Sequence, residues 1–159
     1  MNHDPALQHV LLAAQGFLDL GLPKEALKEL GSLGESYADR NELLQMRMTI
    51  HIRLRQWKPA LELAQTLCSR LPEDPHPFLD TAFCLHEMGR TADAKAILIG
   101  GPASLTQVPV FFYNMACYEA QLGNIDVARD LLGLAINQDS DLKILAKTDP
   151  DLAPLRVRA

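Results

Sequence analysis

Residues 111–128 read FFYNMACYEAQLGNIDVA. This stretch predicts a helix, a tight turn at Gly123-Asn124 and the start of a second helix, since Gly and Asn adopt turn conformations easily. Its last residue, Ala128, has counterparts at a constant spacing of 34 residues, at Ala94, Ala60 and Ala26. A fixed period of this length is typical of arrays of helix-turn-helix repeats. The sequence therefore predicts an all-α fold, an α-α superhelix of repeated helix pairs.

The period divides the chain into four repeats and a terminal segment. We expect the repeats at about residues 7–40, 41–74, 75–108 and 109–140, with a capping helix and tail at 141–159. The capping helix, roughly Asp141 to Lys147, is amphipathic, with Leu142 and Leu145 on its apolar side, and such a helix covers the open end of a stack. The tail from Thr148 is expected to be an extended, packed strap or partly loose. Because each helix pair buries its apolar face only against a neighbour, we expect residues 1–159 to form a single domain.

Several helix ends carry capping or breaking residues. Asp4-Pro5 predicts the start of the first helix, because Asp accepts hydrogen bonds from free N–H groups and Pro is preset for the first turn. Asp74 is expected to cap the first helix of the third repeat, and Thr91 the helix that follows. Gly100-Gly101-Pro102 predicts an early helix end, with a loop from Ala103 to Val108 in place of the last turn.

The second repeat contains conflicting signals. Residues 44–54 alternate strictly between apolar and polar side chains, which is the pattern of a half-buried β-strand. We favour a helix, because Met, Leu, Arg and Gln are good helix formers and a lone strand among helices would have no pairing partner. On that helix, Arg47 and His51 fall where the repeat buries apolar groups. Each therefore needs a buried partner or a route to the rim.

The charge balance and the cysteines limit the partners and the compartment. The chain has 15 basic and 20 acidic residues and a net charge of −5. Nucleic acids and anionic membranes attract clustered positive charge, so we expect neither as a partner. Three cysteines without a CxxC pair favour a reducing compartment. Without a secretory signal or an apolar run of about 18 residues, the sequence predicts a cytoplasmic protein.

The positions in register carry the residue types of a known repeat. The alanine position holds Ala26, Ala60, Ala94 and Ala128, and the turn between the two helices of each repeat holds Gly21, Arg55, Gly89 and Gly123. The first large position holds Val10, Leu44, Phe78 and Phe112, and the small position holds Ala14, Met48, Ala82 and Ala116. Over roughly residues 7–140 the chain thus resembles tetratricopeptide repeat (TPR) proteins. The second repeat departs most from that pattern, at Arg47, Met48 and His51.

The resemblance implies a right-handed superhelix, the TPR solenoid, in which the first helix of each repeat lines an inner groove that binds peptides. Carried over by register, the candidate partner-binding residues are Gln45, Thr49, His76, Leu79, Asp80, Phe83, Tyr113, Asn114, Cys117 and Gln121. The Asn114 amide could hydrogen-bond a peptide backbone, and Tyr113 offers apolar area with a polar end. Both could instead serve only to pack the groove wall. Phe83 could form a peptide pocket or pack against a neighbouring repeat.

The best-known ligands of TPR proteins are acidic C-terminal tails of chaperones, which Lys, Asn and Arg side chains hold in a carboxylate clamp. Here Leu11, Gln45 and Leu79 stand at the lysine positions, and only Asn114 matches a clamp position. Asp80 would repel the carboxylate of such a ligand. The sequence therefore predicts that no chaperone tail is bound in this way.

No metal, cofactor or catalytic site is predicted. Cys84 and Cys117 do not combine with His76 and His86 in any zinc-binding spacing, and free cysteines are commonly buried. Ser, His and Asp residues fall on different helices, without a nucleophile elbow or a glycine-rich phosphate loop. We therefore expect a protein that is not an enzyme.

The function that we predict is an adaptor that binds a peptide or a partner protein in its groove. One alternative is a small TPR-type secretion chaperone that holds an exported protein. Another is a scaffold that assembles with copies of itself, although the terminal helix would cover one end of the stack. The sequence identifies neither the partner nor the oligomeric state.

Overall fold

The computed structural model of the chain describes residues 4–156, and none of them lies in a β-strand. Ten α-helices follow one another in this range: α1 (Pro5–Asp19), α2 (Pro23–Leu30), α3 (Asn41–Arg53), α4 (Trp57–Arg70), α5 (Pro75–Glu87), α6 (Thr91–Ile99), α7 (Pro109–Gln121), α8 (Ile125–Gln138), α9 (Leu142–Ala146) and α10 (Ala153–Arg156). Short 3-10 turns lie at Glu35–Tyr37, Ala103–Gln107 and Pro150–Leu152. The all-α prediction is confirmed.

The helices form two compact units, Met1–Arg70 and Leu71–Ala159. In the first unit, α1 pairs with α2 and α3 with α4. In the second unit, α5 pairs with α6 and α7 with α8, while the C-terminal helices pack on α7 and α8. Each expected repeat thus holds one helix pair, whereas a single domain over residues 1–159 stays a prediction. The described part of the chain excludes the first three and last three residues of that range.

The alanines in register lie on the second helix of each pair and are fully buried. Ala26 and Ala60 in the first unit, and Ala94 and Ala128 in the second, are all 0% exposed. A methyl group at this position lets two helix backbones come close while the interior stays packed at crystal-like density. The 34-residue period of the sequence is therefore a packing requirement that recurs once per pair.

The turns between paired helices share one backbone conformation. Gly21, Gly89 and Gly123 have φ values of 72°, 77° and 87°, in the left-handed region that glycine adopts without strain. Arg55 occupies the same position in the second pair at φ 57°, although a side chain makes this conformation costly. The second repeat therefore keeps the turn geometry of the others with a strained residue.

Residues 41–53 form the helix α3 in spite of their alternating sequence pattern. Leu43, Met48 and Ile50 are buried, so the helix has an apolar side that packs in the first unit. The Nδ1 atom of His51 lies 2.7 Å from Oε1 of Gln56, just beyond the helix end. The ring of His51 thus meets a polar partner at the rim, as the helical interpretation requires.

Two of the three predicted helix caps are present. The Asp4 carboxylate accepts hydrogen bonds from the backbone N–H groups of Ala6 and Leu7, and Asp74 accepts one from His76. The prediction for Thr91 is wrong, because Thr91 is the first residue of α6 and does not precede it. Its hydroxyl instead lies 2.9 Å from Nδ1 of His86.

The segment after α8 contains the expected short helix and a packed tail. The expected capping helix is α9, which lies within one residue of the predicted bounds at each end, with Leu142 buried and Leu145 51% exposed. The tail does not extend as a strap but folds into a 3-10 turn and α10, and the Leu152 side chain is only 1% exposed. We call residues 149–156 the C-terminal segment; it lies against α7 and α8.

Candidate partner-binding clefts

Each compact unit has a cleft between its two first helices. In the first unit the cleft has a volume of about 280 Å³ and lies between α1 and α3, lined by Leu11, Gln15, Glu42, Gln45, Met46 and Thr49. The hydroxyl of Thr49 donates to the backbone carbonyl of Gln45, so it is already engaged within α3. Of the predicted site residues, this cleft brings together Gln45 and Thr49.

The second unit has a cleft of about 310 Å³ between α5 and α7. We call it the α5–α7 cleft; its lining is His76, Leu79, Asp80, Phe83, Val108, Val110 and Asn114. Five of the predicted site residues therefore surround one space: four share a face of α5 because of their spacing of three and four, and Asn114 comes from α7. Val108 and Val110 extend the apolar wall and come from the start of α7, where Pro109 fixes the entry of the chain.

Asp80 places a carboxylate inside the α5–α7 cleft. This group makes no hydrogen bond or ion pair with any residue in the described part of the chain. Burial raises the pKa of Asp80 to about 6, with a smaller opposing effect from His76 and a small further rise from Asp74. A strongly perturbed carboxyl group in a cleft is a typical mark of a functional site.

Three other predicted site residues lie beneath the C-terminal segment. The Tyr113 side chain is 5% exposed, and its hydroxyl donates a 2.7 Å hydrogen bond to Oδ2 of Asp149. The Gln121 amide donates to the backbone carbonyl of Asp151, and Sγ of Cys117 lies 3.9 Å from the same Asp149 oxygen. The chain itself therefore occupies this part of the inner face of α7.

Further contacts hold the C-terminal segment in place. Nε2 of His86 lies 3.0 Å from Oδ2 of Asp151, and the His86 ring packs 4.9 Å from the Tyr118 ring. Asp149 caps the 3-10 turn by accepting a hydrogen bond from the N–H of Asp151. Sequence reasoning missed this arrangement, although Asp149-Pro150 carries the same Asp-Pro capping signal as Asp4-Pro5.

Cys117, Asp149 and Asp151 place their ligand atoms within 4.8 Å of one another, close enough for a metal ion. Hydrogen bonds explain this spacing, because both carboxylates are engaged by Tyr113, His86 and the backbone. Burial, together with the nearby Asp149 and Asp151 charges, raises the pKa of the Cys117 thiol and disfavours the thiolate that binds metals. The prediction of a chain without a metal site stays untested.

Another carboxylate of this unit, Glu119 on α7, is more completely buried than Asp80. It is 5% exposed and receives the Lys95 ammonium at 2.7 Å and the Asn124 amide at 2.6 Å. Burial acts to raise the pKa of Glu119, but the hydrogen bonds from Lys95 and Asn124 outweigh it and lower the pKa. Glu119 is therefore fully engaged in linking α6, α7 and the start of α8.

Across residues 4–156, every helix is too short or too polar to cross a lipid bilayer. Paired helices, buried alanines in register and left-handed turns define a TPR-like, all-α solenoid fold. The structure is similar to the crystal structure of TTC0263, a thermophilic TPR protein of Thermus thermophilus, with a TM-score of 0.78 and 19% sequence identity. The match covers 93% of this chain and 80% of TTC0263. No protein-family model and no curated protein sequence matches the chain.

Proposed function

We propose that the chain is a non-enzymatic protein-interaction module, a cytoplasmic adaptor that binds a peptide segment of a partner protein. The observation that carries this proposal is the α5–α7 cleft, which combines an apolar wall with the polar side chains of Asp80 and Asn114. Binding sites in proteins typically have this composition, in which apolar area supplies affinity and a few polar groups supply orientation. The TPR-like fold supports the proposal, because helical repeats present such preformed surfaces.

The partner would contact only part of the surface expected from the sequence. Asp80, Phe83 and Asn114 line the α5–α7 cleft, whereas Tyr113 and Cys117 are buried beneath the C-terminal segment. We therefore assign binding in the second unit to the cleft side of α7. The first unit has a separate candidate cleft of its own, where Gln45 is exposed. We propose neither nucleic acid nor a chaperone tail as partner, because Asp80 adds negative charge to the site.

The test is site-specific photo-crosslinking in a lysate of the source cells. A benzophenone amino acid is placed at Val110, on the edge of the α5–α7 cleft, and in a matched control at Val127, which is similarly exposed on α8. We expect one partner to crosslink to position 110 and to be lost when Phe83→Ala is added. Crosslinks of equal yield at both positions, or at position 127 alone, would contradict the proposal.

The same experiment separates the two other hypotheses. An exported protein captured at position 110 would make the chain a secretion chaperone, and a second copy of this chain would make it a scaffold. Both would still place the partner in the cleft. The identity of the crosslinked chain, read by mass spectrometry, decides among them.

A further inference from the structure

The Asp80 carboxylate has no ion-pair partner in the described part of the chain, and the effect of His76 on its pKa is smaller than that of burial. His76 and Asp74, at the start of the same helix, are the charged or titratable groups that influence it. Residues that face it from α7 and the preceding turn, Asn114, Val110 and Val108, carry no charge. A carboxylate that is half-buried without an ion-pair partner costs stability, so a cation from outside would be favoured there.

The walls of the α5–α7 cleft suit a long aliphatic stem. Leu79 and Phe83 from α5 and Val110 from α7 give the cleft apolar surface beside Asp80. At about 310 Å³ the cleft lies at the lower limit of ligand pockets, which indicates a single side chain and not a large molecule. Side chains that combine an apolar stem with a charged end bury the stem along such surface and carry the charge to the polar group.

Building on the proposed function, we propose that the α5–α7 cleft binds a lysine side chain of the partner protein, with Asp80 as its counter-charge and Asn114 as a second acceptor. An ammonium group has three donors, which the two carboxylate oxygens of Asp80 and the side-chain amide oxygen of Asn114 can accept. A guanidinium has five donors in a fixed plane and would leave some of them without partners. A free divalent cation requires more oxygen ligands than one carboxylate and one amide provide.

The test uses the full chain and pools of fluorescent, acetylated and amidated hexapeptides. Each pool has one fixed central residue, which is lysine, arginine, norleucine or glutamate, and mixed residues elsewhere. Norleucine matches the lysine stem without its charge. Binding is followed by fluorescence anisotropy for the wild type, for Asp80→Asn and for the control Asp130→Asn, which makes the same change on the exposed face of α8.

We expect the lysine pool to bind the wild type about tenfold more tightly than the norleucine pool, with the arginine pool between them. Asp80→Asn should remove that preference and leave the norleucine pool unaffected, while Asp130→Asn should change nothing. The preference should also weaken as salt is added, because part of it is electrostatic.

The outcomes distinguish this inference from the proposed function. Equal binding of the lysine and norleucine pools, or a lysine preference that survives Asp80→Asn, would overturn the inference and leave peptide binding in place. Tighter binding of arginine than of lysine would overturn the choice of lysine. Failure of every pool to bind, together with failure of the crosslink at position 110, would overturn both proposals.

Discussion

The second compact unit contains a buried carboxylate, Glu119, and a half-buried one, Asp80, and their surroundings differ. Glu119 receives Lys95 and Asn124 at hydrogen-bonding distance, while Asp80 has no such partner among residues 4–156. The pKa of Glu119 is lowered in spite of its burial, and burial raises the pKa of Asp80 to about 6. A buried charge that the fold satisfies stabilises the packing of helices, whereas one that it leaves unsatisfied costs stability and remains available to a ligand.

The first unit gives an exposed counterpart to Asp80 in Glu42, whose side chain is 46% exposed. Glu42 lines the cleft between α1 and α3, as Asp80 lines its own cleft. It is paired with Arg40 at 3.1 Å, and the hydrogen bond from Arg40 lowers its pKa. This cleft therefore supplies its own cation, and the two clefts differ in what they can accept from a partner.

The largest expected effect comes from breaking the satisfied pair. Lys95→Met should lower the free energy of unfolding by about 2–3 kcal/mol, because it leaves the Glu119 carboxylate buried beside an apolar group. Urea denaturation measures the change. Adding Glu119→Gln to Lys95→Met should restore most of the lost stability. If Lys95→Met alone were as stable as the wild type, the Lys95–Glu119 pair would contribute nothing to stability.

Replacing Asp80, which has no ion-pair partner among the described residues, should have the opposite effect on stability. Asp80→Asn should raise the free energy of unfolding at pH 7.5 by about 1–2 kcal/mol, because it removes an unpaired charge from the cleft. Since the pKa of Asp80 is about 6 in the folded chain against a reference of 3.8, the folded chain binds more protons between these values. Wild-type stability should therefore fall as pH rises from about 4 to 6.

This pH dependence separates Asp80 from the other carboxylates. In the Asn variant, the fall in stability between about pH 4 and 6 should be reduced, and denaturation midpoints across that range measure it. A variant that is less stable than the wild type at pH 7.5 would mean that the Asp80 carboxylate has a partner in solution.

Two tyrosines of α7 also differ in whether the fold provides a hydrogen-bond partner, and we expect a smaller effect on stability from replacing them. The Tyr113 hydroxyl donates to Asp149, while the Tyr118 hydroxyl is buried without a hydrogen-bond partner among the described residues. Tyr113→Phe should cost about 1 kcal/mol and speed amide hydrogen exchange in the C-terminal segment. The matched Tyr118→Phe should leave the free energy of unfolding unchanged or raise it by about 1 kcal/mol. Equal losses for both would contradict this assignment.

The smallest effect concerns the turns. Arg55 adopts the left-handed conformation that Gly21, Gly89 and Gly123 adopt without strain. Arg55→Gly should raise the free energy of unfolding by about 0.5 kcal/mol, since relief of strain exceeds the entropy that glycine adds to the unfolded chain. Thermal denaturation is sensitive enough to detect this shift. Gly21→Ala should show a loss in the same experiment, because alanine would introduce the strain.

The periodic features of the fold were accessible from the sequence. The spacing of Ala94 and Ala128 and the Asp-Pro pair at Asp4 are local or regular signals, and each led to the correct helix pair or helix start. The alternation over residues 44–54 was misleading on its own, because the residue types favour a helix. Signals of this kind come from residues that are close together or regularly spaced in the chain, so they can be recognised in the sequence.

Contacts between distant residues were not accessible in this way. Tyr113 and Asp149 are 36 positions apart, and no pattern in the sequence pairs them. The register placed Asp80 on the groove side of α5, but its burial and its lack of a partner depend on Asn114, Val108 and Val110 across the cleft. The location of the candidate site could be predicted, while its electrostatic character required the structure.

Asp80 lies in the α5–α7 cleft as a half-buried carboxylate without an ion-pair partner among residues 4–156. The most direct measurement is a titration of its side-chain carboxyl carbon by NMR in the free chain, assigned by comparison with Asp80→Asn. We predict a midpoint at about pH 6, as burial without a counter-charge requires. A midpoint at or below the reference value of 3.8 would show a solvated or paired carboxylate and would contradict the account.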